Sequence, residues 1–126
     1  AIGFATATEI DSWGLSVATQ KAMQRAISQL SVEPEHLLID HLRLPDVHTP
    51  QTAVTHGDTS ILSIAAASVI AKVARDRAMI AFGRLFPGYG FESHKGYGTS
   101  AHQKALHQLG PCEIHRRSYS PINQDA

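Results

Sequence analysis

The sequence has little of several features that would narrow its class. Its single cysteine, Cys112, excludes an internal disulfide framework and is typical of proteins from a reducing compartment. Ser68 and Lys72 interrupt the most apolar stretch, so no run is long enough to span a bilayer. The first residues show no signal-peptide pattern with a basic start. We therefore expect a cytoplasmic protein with no membrane partner.

A net charge of one sign is also absent. Eleven Lys and Arg side chains balance eleven Asp and Glu side chains, so the overall charge argues neither for nor against nucleic acid. Only the distribution of the charges can do so. With 126 residues, 43% of them apolar, the composition suits one folded domain with a modest core.

The order of apolar and polar residues predicts strands alternating with helices. Residues 1–7 are expected to form a short strand. Apolar residues at three- and four-residue spacing then predict an amphipathic helix through Leu30, with its apolar side facing a core or, alternatively, a partner. The apolar runs Leu37–Asp40 and Gln51–Thr55 predict two further strands, the first of them buried.

The longest helix is predicted to follow Gly57 and Asp58 and to continue toward Pro87. Apolar residues occur on nearly every side of its first half, which predicts that this half is buried. A core helix with one wetted edge is the simpler interpretation. The alternative is that the helix anchors Asp58 rigidly beside other acids.

Two acids are expected at the carboxyl ends of strands, where sites in α/β sheets usually form. Asp40 ends one strand, and Asp58 lies on the turn after the next. Two carboxylates brought together would favour a hard cation such as Mg²⁺ or Mn²⁺, although a strand-end Asp is often only a turn or helix cap. Cys112 and His115 form half of a zinc pattern without a second pair, and the remaining histidines are expected to be exposed.

Positive charge is concentrated near the carboxyl end. Residues 93–120 contain one acid, Glu113, and four Lys and Arg side chains. They also contain two tyrosines and four histidines that could add charge when protonated. The basic and aromatic residues are Lys95, Tyr97, Lys104, Arg116, Arg117 and Tyr119. This mixture suits phosphate contacts with stacking on a sugar or base, and a solvated basic tail is the alternative.

Three motifs then resemble one family. They are G-D-T-S-I-L-S-I-A-A-A-S-V-I-A-K-V-A-R-D-R-A-M at 57–79, Y-G-F-E-S-H-K-G-Y-G-T at 89–99 and G-P-C-E-I-H-R-R-S-Y-S-P at 110–121, preceded by L-L-I-D at 37–40. In this order they resemble ribonuclease HII over nearly the whole chain.

The resemblance implies a ribonuclease H-like α/β fold, a mixed five-stranded sheet flanked by helices. The expected form is incomplete, with the third to fifth strands and the helices present and the first two strands absent. Residues 1–126 would make one partial domain, with a catalytic-core part at 1–92 and a basic substrate-binding loop, short helix and tail at 93–126. The implied activity is hydrolysis of the RNA strand of RNA/DNA hybrids and incision at ribonucleotides in duplex DNA.

The resemblance also implies roles for individual residues. Four acids of the family hold two divalent cations, Mn²⁺ or Mg²⁺, and Asp40 and Asp58 match two of them; the reaction would leave 5′-phosphate and 3′-hydroxyl ends. Tyr97 matches a tyrosine that stacks on the deoxyribose after the ribonucleotide. Neighbouring motif residues, expected to bind substrate, are His94, Lys95 and Arg116. Asp76 matches no metal ligand and is expected to pair with Lys72, Arg75 or Arg77.

Some positions depart from the family pattern. His41 stands where the family has a glycine, and Ser60 stands where a lysine is common. The D-E-A-G-R-G strand, which supplies the other two metal ligands and the contacts to the 2′-hydroxyl, does not occur. The chain is therefore expected to be a fragment or half of a split protein, inactive or very weak alone, with an amino-terminal fragment as partner. The alternatives are a non-catalytic hybrid-binding module and a truncated product without function.

Overall fold

The computed structural model describes residues 1–122, and this part is an α/β chain. Its elements are α1 (Ala7–Ser28), β1 (Leu37–Asp40), β2 (Gln51–Val54), α2 (Gly57–Ser60), α3 (Leu62–Leu85), α4 (Phe91–His94) and α5 (Ser100–Leu109). They form two compact units. The first unit contains residues 1–5 and 13–71, and the second contains residues 6–12 and the described residues from Lys72 onward. No helix in the described range is long and apolar enough to cross a membrane.

The two predicted strands after residue 36 are confirmed and pair with each other. β1 and β2 are parallel, with Leu37 opposite Gln51 and Asp40 opposite Val54. The pairing extends one residue further, because the His41 amide donates to the Val54 carbonyl over 3.0 Å. Ile39 is buried. The sheet therefore ends with Asp40 at its carboxyl edge.

The expected strand at residues 1–7 is wrong. Residues 1–6 form neither strand nor helix, and α1 begins at Ala7. Thr6 caps the helix, because its hydroxyl accepts from the Glu9 amide over 3.2 Å while the Glu9 carboxylate accepts from the Thr6 amide over 2.8 Å. This reciprocal pair is a capping box. In the first unit, Gly3 lies against the backbone of Ala22 in α1.

The predicted amphipathic helix is confirmed, with a break. Gly14 has φ 77 and ψ 162, so the helical geometry is interrupted there and resumes at Leu15. Only Ala18 of its apolar stripe is fully buried, whereas Leu15 and Leu30 are exposed. The spacing identified the helix correctly, but a core covers only part of its apolar side.

The expected burial of the first half of α3 is also wrong. Ile64 is buried, but Leu62 is 87% exposed, Val69 61% and Ile70 55%. An apolar composition gives a helix a preference for burial, and burial still needs a surface to pack against. Within the described residues the sheet has two four-residue strands, which leaves most of this helix uncovered.

A compact aromatic cluster forms the core of the second unit. Tyr89, Phe91 and Ala105 are buried. Partly buried residues packed against them are Met79, Phe82, Phe86, Cys112 and Ile114. The Tyr89 hydroxyl donates to the Gly110 carbonyl over 2.6 Å. The short helix expected within residues 93–126 is α5, and Thr99 caps it, because its side chain accepts from the His102 amide over 3.3 Å.

Substituting Gly3 by Ala tests the packing of the first residues. A Cβ atom at this position would lie 1.9 Å from the Ala22 carbonyl oxygen and 2.8 Å from the Ala26 amide nitrogen. We expect Gly3→Ala to lower the free energy of unfolding by about 1–3 kcal/mol, the usual cost of forcing extra volume into a packed site. Urea denaturation followed by circular dichroism measures it.

Gly98→Ala is the matched control. A Cβ there meets no atom within 4 Å, so its effect should stay within about 0.5 kcal/mol. Equal stability of the two variants would show that residues 1–5 do not pack on α1 as described.

Candidate functional site

Asp40 lies at the carboxyl end of β1, half-buried. Its Oδ1 accepts a hydrogen bond from the Gly57 amide over 2.9 Å. Its carbonyl accepts from the Leu42 amide over 2.8 Å, so the chain turns sharply after the strand. The carboxylate is thereby fixed between the strand end and the turn that begins α2.

The turn at Gly57 places Asp58 one residue after the amide that Asp40 binds. Gly57 is buried, and a Cβ atom there would lie 2.6 Å from Cδ1 of Ile64 in α3. Only glycine therefore lets the turn approach α3 this closely. Asp58 follows directly, on the exposed first turn of α2. Asp40 binds the amide of Gly57, and the Cα atoms of Gly57 and Asp58 are about 3.8 Å apart, as in any two consecutive residues.

Two histidines flank the acids in a strained backbone conformation. His41 has φ 64 and His56 has φ 54, both in the left-handed region that favours glycine. The glycine that the family resemblance implies at position 41 therefore has a physical reason. Ser60, which stands where a lysine is common, donates its hydroxyl to the His56 carbonyl over 3.0 Å and so serves the turn itself.

The donor set at this strand end fits part of a divalent-cation site. Carboxylate oxygens are the ligands that Mg²⁺ and Mn²⁺ prefer, and Asp40 and Asp58 supply them. Between residues 1 and 122, however, no group of three or more His, Cys, Asp or Glu side chains is arranged to hold a metal ion. Two acids alone supply too few oxygen ligands to complete the shell of such a cation.

The second unit presents Tyr97 on a glycine-rich loop. The tyrosine is 58% exposed, and the guanidinium carbon of Arg75 lies 5.1 Å from the centroid of its ring. This is the distance of a cation–π contact. The backbone of the loop turns through Gly96, which has φ 83. An exposed aromatic face with a cation against it can stack on a sugar or base.

The two residues predicted beside Tyr97 hold the loop. Both ring nitrogens of His94 contact backbone, Nε2 the Tyr89 carbonyl at 2.7 Å and Nδ1 the Gly96 amide at 3.1 Å. The Lys95 ammonium donates to the Glu92 carbonyl. Their expected contact with substrate stays a prediction.

Arg116 lies on a turn anchored by an acid that the sequence did not single out for this role. Its guanidinium stacks on Tyr119, with the guanidinium carbon 4.0 Å from the ring centroid. Asp11 accepts from the Arg117 amide over 2.8 Å and from both the amide and the hydroxyl of Ser118, over 3.0 and 2.5 Å. The hydroxyl bond is the largest cause lowering the pKa of Asp11.

Two of the four histidines that were expected to add charge when protonated are largely withdrawn from solvent. His102 is only 9% exposed, and His115 is half-buried. Desolvation is the largest cause lowering the pKa of each, which favours the neutral form of both rings. The Lys and Arg side chains supply positive charge in this region whatever the state of these two rings. Spacing gave no signal for this burial, because it depends on the packing of Phe91 and Tyr89 around the rings.

Asp76 pairs with Lys72, one of the three partners that were expected for it. Its Oδ2 lies 2.8 Å from the Lys72 ammonium, one helical turn earlier in α3. The same bond is the main cause that lowers the pKa of Asp76 and raises that of Lys72. The carboxylate therefore serves an ion pair within the helix.

Comparison with known proteins points to one family. A family model described as Ribonuclease HII matches residues 1–122. The chain is 52% identical over 124 residues to Ribonuclease HII from Nitrosococcus oceani, 48% identical over 118 residues to that from Moorella thermoacetica and 48% identical over 121 residues to that from Chloroflexus aurantiacus.

The similarity covers different shares of the paired chains. These matches include 98%, 94% and 96% of this chain, but 62%, 57% and 57% of the respective relatives. The chain thus spans about three fifths of the length of the curated relatives it matches.

Replacing His41 by glycine tests the strain beside Asp40. A side chain in the left-handed region costs about 1–2 kcal/mol, whereas glycine costs about 0.5–1 kcal/mol in lost freedom of the unfolded chain. We expect His41→Gly to raise the free energy of unfolding by about 0.5–1 kcal/mol. Chemical denaturation measures the change.

His48→Gly provides the control, because His48 is exposed and is not among the positive-φ residues. It should lower stability by about 0.5–1 kcal/mol. Loss of stability in both variants would mean that His41 is not strained.

Proposed function

The chain belongs to the ribonuclease HII family, and from this membership we propose that it forms part of an endonuclease acting on RNA within duplexes. The reaction would be hydrolysis of the RNA strand of RNA/DNA hybrids and incision at single ribonucleotides in duplex DNA. The observation that supports this best is the 2.9 Å bond from the Gly57 amide to Asp40. It ties the strand end that carries Asp40 to the turn that carries Asp58.

Asp40 and Asp58 would hold the divalent cations, Mg²⁺ or Mn²⁺. The chemistry that paired cations supply when bound is activation of water and stabilisation of the departing 3′-oxygen, which leaves 5′-phosphate and 3′-hydroxyl ends. The protein's own contribution is orientation. The Gly57 amide occupies Oδ1 of Asp40, which leaves Oδ2 for a cation, while Asp58 is open to solvent and to substrate.

The second unit would bind the nucleic acid. Tyr97 would stack on the deoxyribose that follows the ribonucleotide, with its ring supported by Arg75. Lys95 and Arg116 would contact phosphates, and His94 would bind substrate at the same loop. Phosphate contacts fix the position of a duplex, and the stacked sugar would supply the discrimination.

We propose that this chain alone is inactive or very weak and that an amino-terminal fragment supplies the missing strands. Two carboxylates hold two cations poorly, since each cation needs several oxygen ligands. The exposed apolar side chains of Leu62, Val69 and Ile70 on α3 and of Leu38 on β1 offer a surface for such a partner. Added strands would also pair the open edges of β1 and β2.

A cleavage assay tests the proposal. The substrate is a DNA duplex with one embedded ribonucleotide, incubated with Mn²⁺ and this chain, alone or with the part of the Nitrosococcus oceani relative that this chain does not match. We expect incision only by the mixture. Asp40→Asn should reduce it at least about 100-fold, because losing even an outer-shell partner costs roughly 10–100-fold.

Asp76→Asn is the matched control, since this acid pairs with Lys72 and is not proposed as a ligand. The mixture that contains it should retain activity within a few-fold. Efficient incision by the chain alone would defeat the inactivity claim. Equal losses for Asp40→Asn and Asp76→Asn would defeat the assignment of Asp40.

The exposed Tyr97 also favours a second candidate function, binding of hybrid duplexes without catalysis. An aromatic ring that is 58% exposed and backed by Arg75 needs no metal to stack on a nucleotide. Such a module would require only the tyrosine loop and the basic residues of the second unit.

Replacing Tyr97 separates these contributions. Stacking on an aromatic side chain contributes about 1–3 kcal/mol, so Tyr97→Ala should weaken binding to a DNA-RNA-DNA/DNA duplex about tenfold. Tyr97→Phe retains the ring and should bind within about twofold of the unchanged chain. Fluorescence anisotropy at low salt with Ca²⁺ measures both. Absence of detectable binding by the unchanged chain would remove the binding-module function.

A further inference from the structure

Two imidazole rings connect Tyr97 to the segment after α5 through three hydrogen bonds. The Cys112 amide donates to Nδ1 of His115 over 3.0 Å. Nε2 of His115 lies 3.3 Å from Nε2 of His102. Nδ1 of His102 lies 2.9 Å from the Tyr97 carbonyl oxygen. All of these residues belong to the second unit.

The two ends of this connection fix the proton on each ring. An amide can only donate, so Nδ1 of His115 accepts, and the single proton of the neutral ring is on Nε2. That proton is donated to Nε2 of His102, which leaves the proton of His102 on Nδ1. The Tyr97 carbonyl can only accept, and Nδ1–H is the donor it requires. Both ends therefore agree on one arrangement of protons.

This arrangement exists only while both rings are neutral. A second proton on His115 would place an N–H on Nδ1, facing the Cys112 amide. A second proton on His102 would place an N–H on Nε2, facing the N–H of His115. Either event replaces a hydrogen bond with two opposed donors.

The surroundings of the rings favour the neutral state. The titratable side chains that face them are His94, stacked on His102 at 4.3 Å between ring centroids, Tyr89, 5.3 Å from His115, and Cys112, whose Sγ lies 3.1 Å from Nδ1 of His115. None of these is an acid that would favour a charged ring. Burial, helped by the neighbouring histidine, lowers the pKa of both His102 and His115 below the ordinary 6.5.

We call the hydrogen-bonded pair His102 and His115 the clamp. Tyr97 needs such a clamp because glycines flank it. Its carbonyl also accepts from the Thr99 amide over 2.8 Å, and its own amide donates to the His94 carbonyl over 2.9 Å. Gly96 and Gly98 would otherwise leave this backbone many conformations. The bond from His102 continues through His115 and so connects the loop to a residue beyond α5.

We propose that His102 and His115 form a neutral pair that positions Tyr97, so that protonation of the pair releases the tyrosine loop and weakens its binding to nucleic acid. Both are positioning residues, since neither reaches the substrate in this role. The inference rests on the proposed function in that Tyr97 is taken to stack on the nucleic acid.

The direction of the pH effect follows from linkage. Each folded-state pKa lies below that of the unfolded chain, so the stabilisation from the neutral rings is fully present above about 6.5 and declines as pH falls below it. The clamp itself is lost only when pH falls through the lowered values. Tyrosine-dependent binding should therefore be constant above neutrality and decrease in mildly acidic solution.

Nitrogen-15 NMR of histidine-labelled protein tests the clamp without any nucleic acid. At pH 7.5 the ring signals should identify a proton on Nδ1 of His102 and on Nε2 of His115, and both rings should become charged below pH 6.5 together with shifts of the Gly96–Thr99 amides. The opposite proton position in either ring, or a charged ring at pH 7.5, would overturn the clamp.

Substitution of His115 tests its effect on binding to the DNA-RNA-DNA/DNA duplex. His115→Gln keeps an N–H that can reach His102, whereas His115→Leu removes it. We expect His115→Leu to lose most of the roughly tenfold contribution of Tyr97 to binding. His115→Gln should bind within about twofold of the unchanged chain, and the pH at which its binding decreases in acid should differ. His107→Leu, at an exposed histidine of α5, is the control and should bind like the unchanged chain.

Each outcome separates the two proposals. Unchanged binding by His115→Leu, or equal losses by the Leu and Gln variants, would overturn the positioning role while Tyr97→Ala still reports the stacking. If Tyr97→Ala leaves binding unchanged, the nucleic-acid role fails together with the proposed contact, and the ring protons alone decide the clamp. The pH titration of the unchanged chain gives an answer even if a variant does not fold.

Discussion

The hydrogen bond from the Gly57 amide to the Asp40 carboxylate is the contact on which the acidic site depends. It closes the seventeen-residue path from the end of β1 to the start of α2. A neighbouring Cβ would disrupt it, because Gly57 has no room for one against Ile64. Without this bond, Asp58 would remain on an exposed turn with no defined relation to Asp40.

The same kind of contact recurs wherever the chain positions a segment without a large core. Side chains bind the backbone of other segments, near or far in sequence: Gln51 holds the amide and the carbonyl of Leu44, Asp11 holds the amides of Arg117 and Ser118, and His102 holds the Tyr97 carbonyl. A buried amide or carbonyl must find a partner. When sheet and helix partners are few, polar side chains can supply the bond and define a unique loop conformation.

Local patterns predicted most of the helices and strands but not their burial. The strands ending at Asp40 and Val54 and the long helix to Leu85 follow from runs of apolar residues, which act over short distances. Residues 1–7 looked equally strand-like, yet a strand needs a partner, and Thr6 and Glu9 instead form a helix cap. The apolar first half of α3 was expected to be buried for the same reason, and composition cannot say which surface will cover it.

The acids and the tyrosine of the candidate site could be identified from motifs, whereas the residues that hold them could not. Asp11 and Ser118 are 107 positions apart, and no spacing rule connects them. His102 and His115 were expected to be among the histidines able to add positive charge. Burial reverses that role. The His115 ring accepts a hydrogen bond from an amide and donates one to His102, and it can do both only when it is neutral.

The histidines of the basic region could affect binding to nucleic acid in two ways, as added positive charges or as residues that position Tyr97. If the histidines acted as additional charges, acidification would strengthen phosphate binding, since every protonated ring adds counterion release. If they position Tyr97, acidification weakens the stacking contribution. High salt screens phosphate contacts but leaves stacking largely intact. The two contributions therefore have opposite signs in acid and different sensitivities to salt, so the pH dependence of binding at high salt reports the tyrosine alone.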